Sequence, residues 1–157
     1  MGILKHVEQL MTEIGPLCDE LHTVLQRKDD EWAIRLNERD FFAKYNHDTE
    51  LVTLATDVGM LSGEEREKIY KALLSYNIMW QTTDGISMGL DNEDRIQLMI
   101  SLGAANLERG LLVNVIENIS EKADFWQELL KSMAKASTIE SHDNGLSDLF
   151  NPALLKA

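Results

Sequence analysis

Residues 85–133, GISMGLDNEDRIQLMISLGAANLERGLLVNVIENISEKADFWQELLKSM, decide the fold. Ile86, Met88 and Leu90 recur at period two, and so do Ile96, Leu98 and Ile100. That spacing predicts two short strands, and the turn signal Asp91-Asn92-Glu93-Asp94 lies between them. A long amphipathic helix follows. Asn106 reads as its N-cap, and Glu108 falls in the first turn, where the helix dipole favours a carboxylate. Leu112, Val115, Ile116, Ile119, Ala123, Trp126, Leu129, Leu130 and Met133 line one side of it. Burying one stripe barely offsets the backbone entropy lost by ordering so long a helix. The helix therefore needs a sheet to lie on, and the strands before it supply one.

Upstream, Ser62-Gly63-Glu64-Glu65 reads as a capping box, with Ser62 at the N-cap and Glu65 at N3. It predicts a helix through about residue 79 with Ile69, Ala72, Leu73, Tyr76 and Trp80 on its apolar stripe. Before it, Trp32, Ile34 and Leu36, then Phe41, Ala43 and Tyr45, alternate as strands, and Leu51 to Thr56 makes another. Asn37 to Asp40 and Asn46-His47-Asp48 suit the turns between them. His22 to Arg27 fits either a short strand or more helix. Ile3, Val7, Leu10 and Ile14, with Leu4 and Met11 beside them, form a first amphipathic helix that Gly15-Pro16 stops. The predicted fold is α+β: an antiparallel twisted sheet flanked by three helices in the order α-β-β-β-α-β-β-α. Residues 1–135 make one domain. Residues 136–157 form an extension whose Leu146, Leu149, Phe150, Leu154 and Leu155 mark either a loose tail or a docking segment.

The balance of 15 basic and 27 acidic residues gives a net charge of −12. Nucleic acids and anionic membranes both select Lys/Arg patches, so neither is an expected partner. Basic or unfolded polypeptide is. Cys18 is the single cysteine, which suits a reducing cytosol. No apolar run reaches the roughly 20 residues of a membrane span. MGILKH lacks the features of a signal peptide, and His6 stands where a myristoylation signal wants Ser or Thr. Catalytic and ligand motifs are wanting as well. No glycine-rich phosphate loop occurs. His6, His22, His47 and His142 are scattered, without the helical spacing of a metal pair. His47 with Asp48 and Glu50 reads as a solvated turn. Asp91 to Asp94 lacks the alternating ligands of a calcium loop. The acids beside Cys18 would raise its pKa rather than activate it. The expectation is a cytoplasmic protein that is no enzyme and takes no metal and no cofactor.

Leu73-Leu74-x-x-Asn77, then Gly85-x-x-x-x-Leu90-Asp91 with Arg95-x-x-Leu98, then Phe125-Trp126-x-x-Leu129 in the last helix, together carry a resemblance. Residues 3–133 resemble the class I type III secretion chaperones, the Tir-chaperone or CesT-like family. The resemblance implies a bacterial cytosolic homodimer without ATPase activity. It implies binding of an extended segment near the N-terminus of a secreted effector, held non-globular and presented for secretion, with the secretion ATPase as a further partner. An exposed strand edge could accept that segment through backbone hydrogen bonds. Leu4, Val7 and Met11 with Trp32, Ile34, Phe41 and Tyr45 are the candidate effector-binding residues. Ile69, Leu73, Tyr76, Trp80, Ile86 and Met88 are the candidate dimer interface, paired with themselves across a two-fold axis. The competing reading is an α+β adaptor or regulatory domain that binds a folded protein.

Overall fold

The computed structural model describes residues 2–60, 63 and 65–138. Ser62 and the residues after Thr138 lie outside them, so half of the expected capping box and most of the expected extension are not described. In chain order the elements are α1 (Ile3–Glu13), a 3-10 turn (Gly15–Leu17), β1 (Leu21–Lys28), β2 (Glu31–Leu36), β3 (Arg39–Asn46), β4 (Leu51–Met60), α2 (Arg66–Ile78), β5 (Ser87–Leu90), β6 (Arg95–Gly103) and α3 (Arg109–Thr138). The strands form one six-stranded sheet in the order β1-β2-β3-β4-β6-β5. The first four are a consecutive antiparallel meander.

Four strands precede α2 rather than three, because the segment left between strand and helix, His22 to Arg27, is the body of β1. Its side chains are mostly exposed, so it lacks the clean alternation that marks β3 and β4. Two helix starts also differ from the sequence reading. Glu65, not Ser62, stands at the N-cap of α2, without a side-chain cap bond. The third helix begins at Arg109 rather than just after Asn106, and its first turn closes from the Leu112 amide to the Glu108 carbonyl.

The turn chemistry follows the residues. Asn37 takes a positive φ of 52° in the β2–β3 hairpin, a conformation Asn tolerates better than most residues. The Asn46 side chain accepts from the amides of Asp48 and Thr49, and the Asp91 carboxylate accepts from those of Glu93 and Arg95. These amides hold the Asp91 carboxyl below the ordinary aspartate range.

The chain divides into two compact units, Met1–Asp57 with Met99–Glu121, and Val58–Leu98 with the chain from Lys122 onward. In the first, Val7, Leu10, Met11 and Ile14 of α1 are buried along with Trp32, Ile34, Leu36, Phe41, Ala43, Tyr45, Val52 and Leu54 of the meander. His6 Nε2 lies 2.9 Å from the Leu107 carbonyl oxygen, tying α1 to the segment before α3. The second unit buries Ile69, Ala72, Leu73 and Tyr76 of α2, Ile86, Met88, Ile96 and Leu98 of the hairpin, and Ala123, Trp126, Leu129 and Met133 of α3. Tyr76 and Trp126 meet edge to face at 5.5 Å, a favoured aromatic geometry.

Candidate functional site

The residues named from sequence for effector binding lie mainly inside the first unit. Val7, Met11, Trp32, Ile34, Phe41 and Tyr45 are all buried, and only Leu4 is half-exposed. The register brings several of them together: Ile34 pairs directly with Phe41, Trp32 with Ala43, and Tyr45 with Val52. Alternation identifies a strand's apolar face, and in this chain that face is covered from within.

The same register defines the opposite face. Leu25 pairs with Ala33, Ala33 with Phe42, and Phe42 with Ala55. Directly opposed residues point to one side of a sheet, so these four make a continuous apolar row across β1 to β4. Leu25 is 58% exposed and Phe42 39%. Charged rows flank it. On one side, both Asp40 carboxylate oxygens accept from Arg35 at 2.6 Å, and the Arg35 guanidinium holds the Asp40 carboxyl below its usual range. On the other, Glu31 accepts from Lys44 at 2.9 Å and pairs with Lys28 at 3.0 Å, and these cations lower its pKa, Lys44 foremost. The result is an apolar band between two ion-paired borders. Phe42 follows Phe41 directly, so the Phe-Phe pair in the sequence already implied one aromatic on each face.

The sheet has two edges, and they differ. β5 is short, and at its centre the Asn77 side chain donates to the Met88 carbonyl and accepts from the Met88 amide, both at 2.8 Å. That closes the edge's hydrogen-bonding groups at Met88. β1 is twice as long, with irregularities at Leu21/Thr23 and Gln26/Lys28, and it is the longer edge open to an added strand.

Of the residues named for a dimer interface, Ile69, Leu73, Tyr76, Ile86 and Met88 are buried within the chain, and Trp80 is 61% exposed. The Tyr76 hydroxyl is buried without a hydrogen-bond partner, and desolvation pushes its pKa up to about 12, with Asp84 adding to the shift. The other face of α2 is the accessible one. Leu74 is 70% exposed and Ile78 80%. With Glu67, Tyr70, Lys71 and Ser75 they line a shallow open groove of about 500 Å³. The spacing 70-74-78 was a second apolar stripe on this helix, masked in the sequence by the stronger 69-73-76-80.

Among the described residues no group of three or more His, Cys, Asp or Glu is placed to hold a metal ion, and no helix is long and apolar enough to cross a membrane. Cys18 is buried, its thiol 3.5 Å from a Glu117 carboxylate oxygen, and burial pushes its pKa up. It is therefore a poor nucleophile.

Solved structures share this fold. A chain of the ExsC–ExsE complex matches with a TM-score of 0.63 and 23% identity, covering 83% of this chain and 97% of that one. A chain of the HopA1–SchA chaperone–effector complex matches at 0.65 and 13%, covering 80% and 95%. A chain of the complex of the Yersinia pestis type III secretion chaperone SycH with a fragment of YscM2 matches at 0.57 and 18%, covering 80% and 99%. No curated protein matches the chain. The Tir chaperone protein (CesT) family model matches residues 20–127, from just before β1 through most of α3. With that match spanning more than two thirds of the sequence, the chain belongs to the Tir chaperone protein (CesT) family.

Proposed function

We propose that this chain is a cytoplasmic type III secretion chaperone that binds an extended segment near the N-terminus of a secreted effector, keeps it non-globular and presents it for secretion. The observation that carries the reading is the family match over residues 20–127, joined to a sheet whose outer face offers an apolar row to solvent. An extended segment presents side chains at period two. Paired through its backbone with the exposed edge of β1, it can set an apolar side chain beside Leu25, and a continuation of the segment turned onto the face can cover Phe42. Of the residues read from sequence, Leu4 offers a further contact, and Val7, Met11, Trp32, Ile34, Phe41 and Tyr45 hold the strands that display the row. Holding a segment open requires binding energy alone, so the function calls for no catalytic group.

The working unit in this reading is a homodimer. Leu74, Ile78 and Trp80 form its contact, an isologous patch backed by Ile69, Leu73, Tyr76, Ile86 and Met88. The secretion ATPase is the partner to which the loaded dimer presents its cargo. The test is effector capture by the immobilised chain from cells with active type III secretion. Phe42→Asp should reduce capture about tenfold or more, as loss of one anchor worth roughly 1.4 kcal/mol does. Equal capture by a correctly folded Phe42→Asp chain would remove the open face from the account.

A further inference from the structure

We propose that the outer face of the sheet takes its client in the polyproline II conformation, as a segment without net charge that sets an apolar side chain at every third position. The inference deepens the chaperone reading above, and it rests on that reading for the client's being an effector. The apolar row runs further than β4. The Ala104 amide donates to the Glu50 carbonyl at 3.0 Å, and the Thr53 and Ser101 hydroxyls lie 2.8 Å apart. Both contacts fix the same antiparallel register between the neighbours β4 and β6, and that register sets Met99 opposite Ala55. Met99 is half-exposed between the buried Leu98 and Ile100, so it points outward. The row therefore reads Leu25, Ala33, Phe42, Ala55, Met99 from β1 across to β6.

Large and small side chains alternate along it. Leu25, Phe42 and Met99 stand up, and Ala33 and Ala55 leave hollows between them. Neighbouring strands are about 4.8 Å apart, so hollows two strands apart lie about 9.6 Å from each other. Polyproline II turns once in three residues and repeats a face at about 9.3 Å. Its intervening side chains point away, which leaves room over Phe42. An extended β segment repeats a face at about 6.7 Å and misses the second hollow. A helix returns to one face at about 10.5 Å, but its side chains three and four residues along lie between and would meet Phe42.

Backbone and charge agree with the spacing. The strands under Ala33, Phe42 and Ala55 are paired with their neighbours, so the face offers side chains and no backbone partners. Polyproline II keeps its own backbone solvated and asks for none. The borders of the row carry Lys28, Arg35 and Lys44 against Glu31, Asp40 and Asp57, a balanced set in a chain of net charge −12. Neither an acidic nor a basic segment gains from such borders, and an uncharged one fits them. The row also begins at Leu25 on the edge strand β1. A client paired with that edge reaches the hollows by turning onto the face, and a proline at the turn ends the strand pairing.

The test titrates the full-length chain with uncharged synthetic peptides of about twelve residues and equal leucine content, and follows amide shifts by NMR. One peptide sets leucine at every third position among prolines. The second alternates leucine with threonine, and the third places leucine at helical spacing among alanine and glutamine. The expected result is shifts centred on Ala33, Phe42, Ala55 and Met99, with the first peptide bound at least about tenfold more tightly than either of the others. Ala33→Leu/Ala55→Leu fills both hollows and should weaken the first peptide about tenfold or more, whereas Ala33→Ser/Ala55→Ser keeps them open and should preserve its binding. Equal or tighter binding of the second or third peptide, shifts centred on Leu74 and Ile78, or no binding of the first peptide would overturn the proposal. No effector is present, so such a failure leaves the chaperone reading standing. Selective binding of the first peptide by a chain that captures no effector would in turn sink the chaperone reading alone.

Discussion

Asn77 on α2 and Met88 at the centre of β5 exchange two hydrogen bonds of 2.8 Å, the carboxamide standing in for a neighbouring strand. Donor and acceptor lie on one planar group, matched to an N–H and a C=O of one residue, so Asn is the side chain that fits. The pair fixes α2 against the hairpin and seals one edge of the sheet. Asn77→Ala leaves both Met88 groups unsatisfied in a part-buried site, which costs about 1–3 kcal/mol. Asn77→Asp keeps the acceptor but sets a carboxylate oxygen against the Met88 carbonyl, and it should destabilise at least as much. Urea unfolding of both variants measures this, and exchange of the Met88 amide should speed up in each.

Phe41 and Phe42 are neighbours with opposite duties. Phe41 is core and Phe42 faces out. Phe41→Ala should cost about 3–5 kcal/mol of stability. Phe42→Ala should change stability by less than about 1 kcal/mol while weakening effector capture. Paired urea melts and capture assays separate the two effects.

The two faces of α2 make a similar pair. Leu74→Glu or Ile78→Glu should leave the fold intact and convert a dimer to a monomer in sedimentation equilibrium. Leu73→Glu places a charge in the core and should prevent folding. A dimer that survives the double variant Leu74→Glu/Ile78→Glu would move the contact elsewhere.

Acid sensitivity follows from carboxylates whose pKa values are depressed in the folded chain: Asp91 by backbone amides, Asp40 by Arg35, and Glu31 by Lys44 and Lys28. A depressed pKa contributes stability that is complete above the unfolded value, about 4 for these groups. It is lost as pH falls through the folded one. The urea midpoint should therefore be flat from pH 7 to about 5 and fall below about 4. Asp91→Asn, which keeps an acceptor but no charge, should show a shallower fall. The Arg35–Asp40 pair is exposed and screened by solvent, so Arg35→Ala should leave the urea midpoint at neutral pH nearly unchanged.

Much of this fold was legible because local rules agreed with one another. Period two over Ile96 to Ile100, the Asp91 turn and the long stripe from Leu112 to Met133 all pointed to a hairpin under a helix. β1 was ambiguous because an edge strand that buries little shows little alternation. The candidate site was legible only in part. Apolar spacing named Trp32, Ile34, Phe41 and Tyr45, and equally Ile69, Leu73 and Tyr76, yet these fill the units' own cores. The exposed apolar surface lies in what the pattern treats as off-face residues: Leu25, Phe42, Leu74 and Ile78. A sequence cannot rank two apolar faces of one element by which of them meets its own chain. Asn77 was visible only as part of a family pattern, since nothing local foretells that its amide would meet Met88.

The most direct measurement is photo-crosslinking from a benzophenone amino acid at position 42 in cells with active type III secretion, followed by mass spectrometry of the crosslinked peptides. The account predicts a crosslink to one short stretch near the N-terminus of an effector, lost when Leu25→Asp is added. Crosslinks to folded regions of a partner, or none to any effector while capture by the same chain persists, would contradict it.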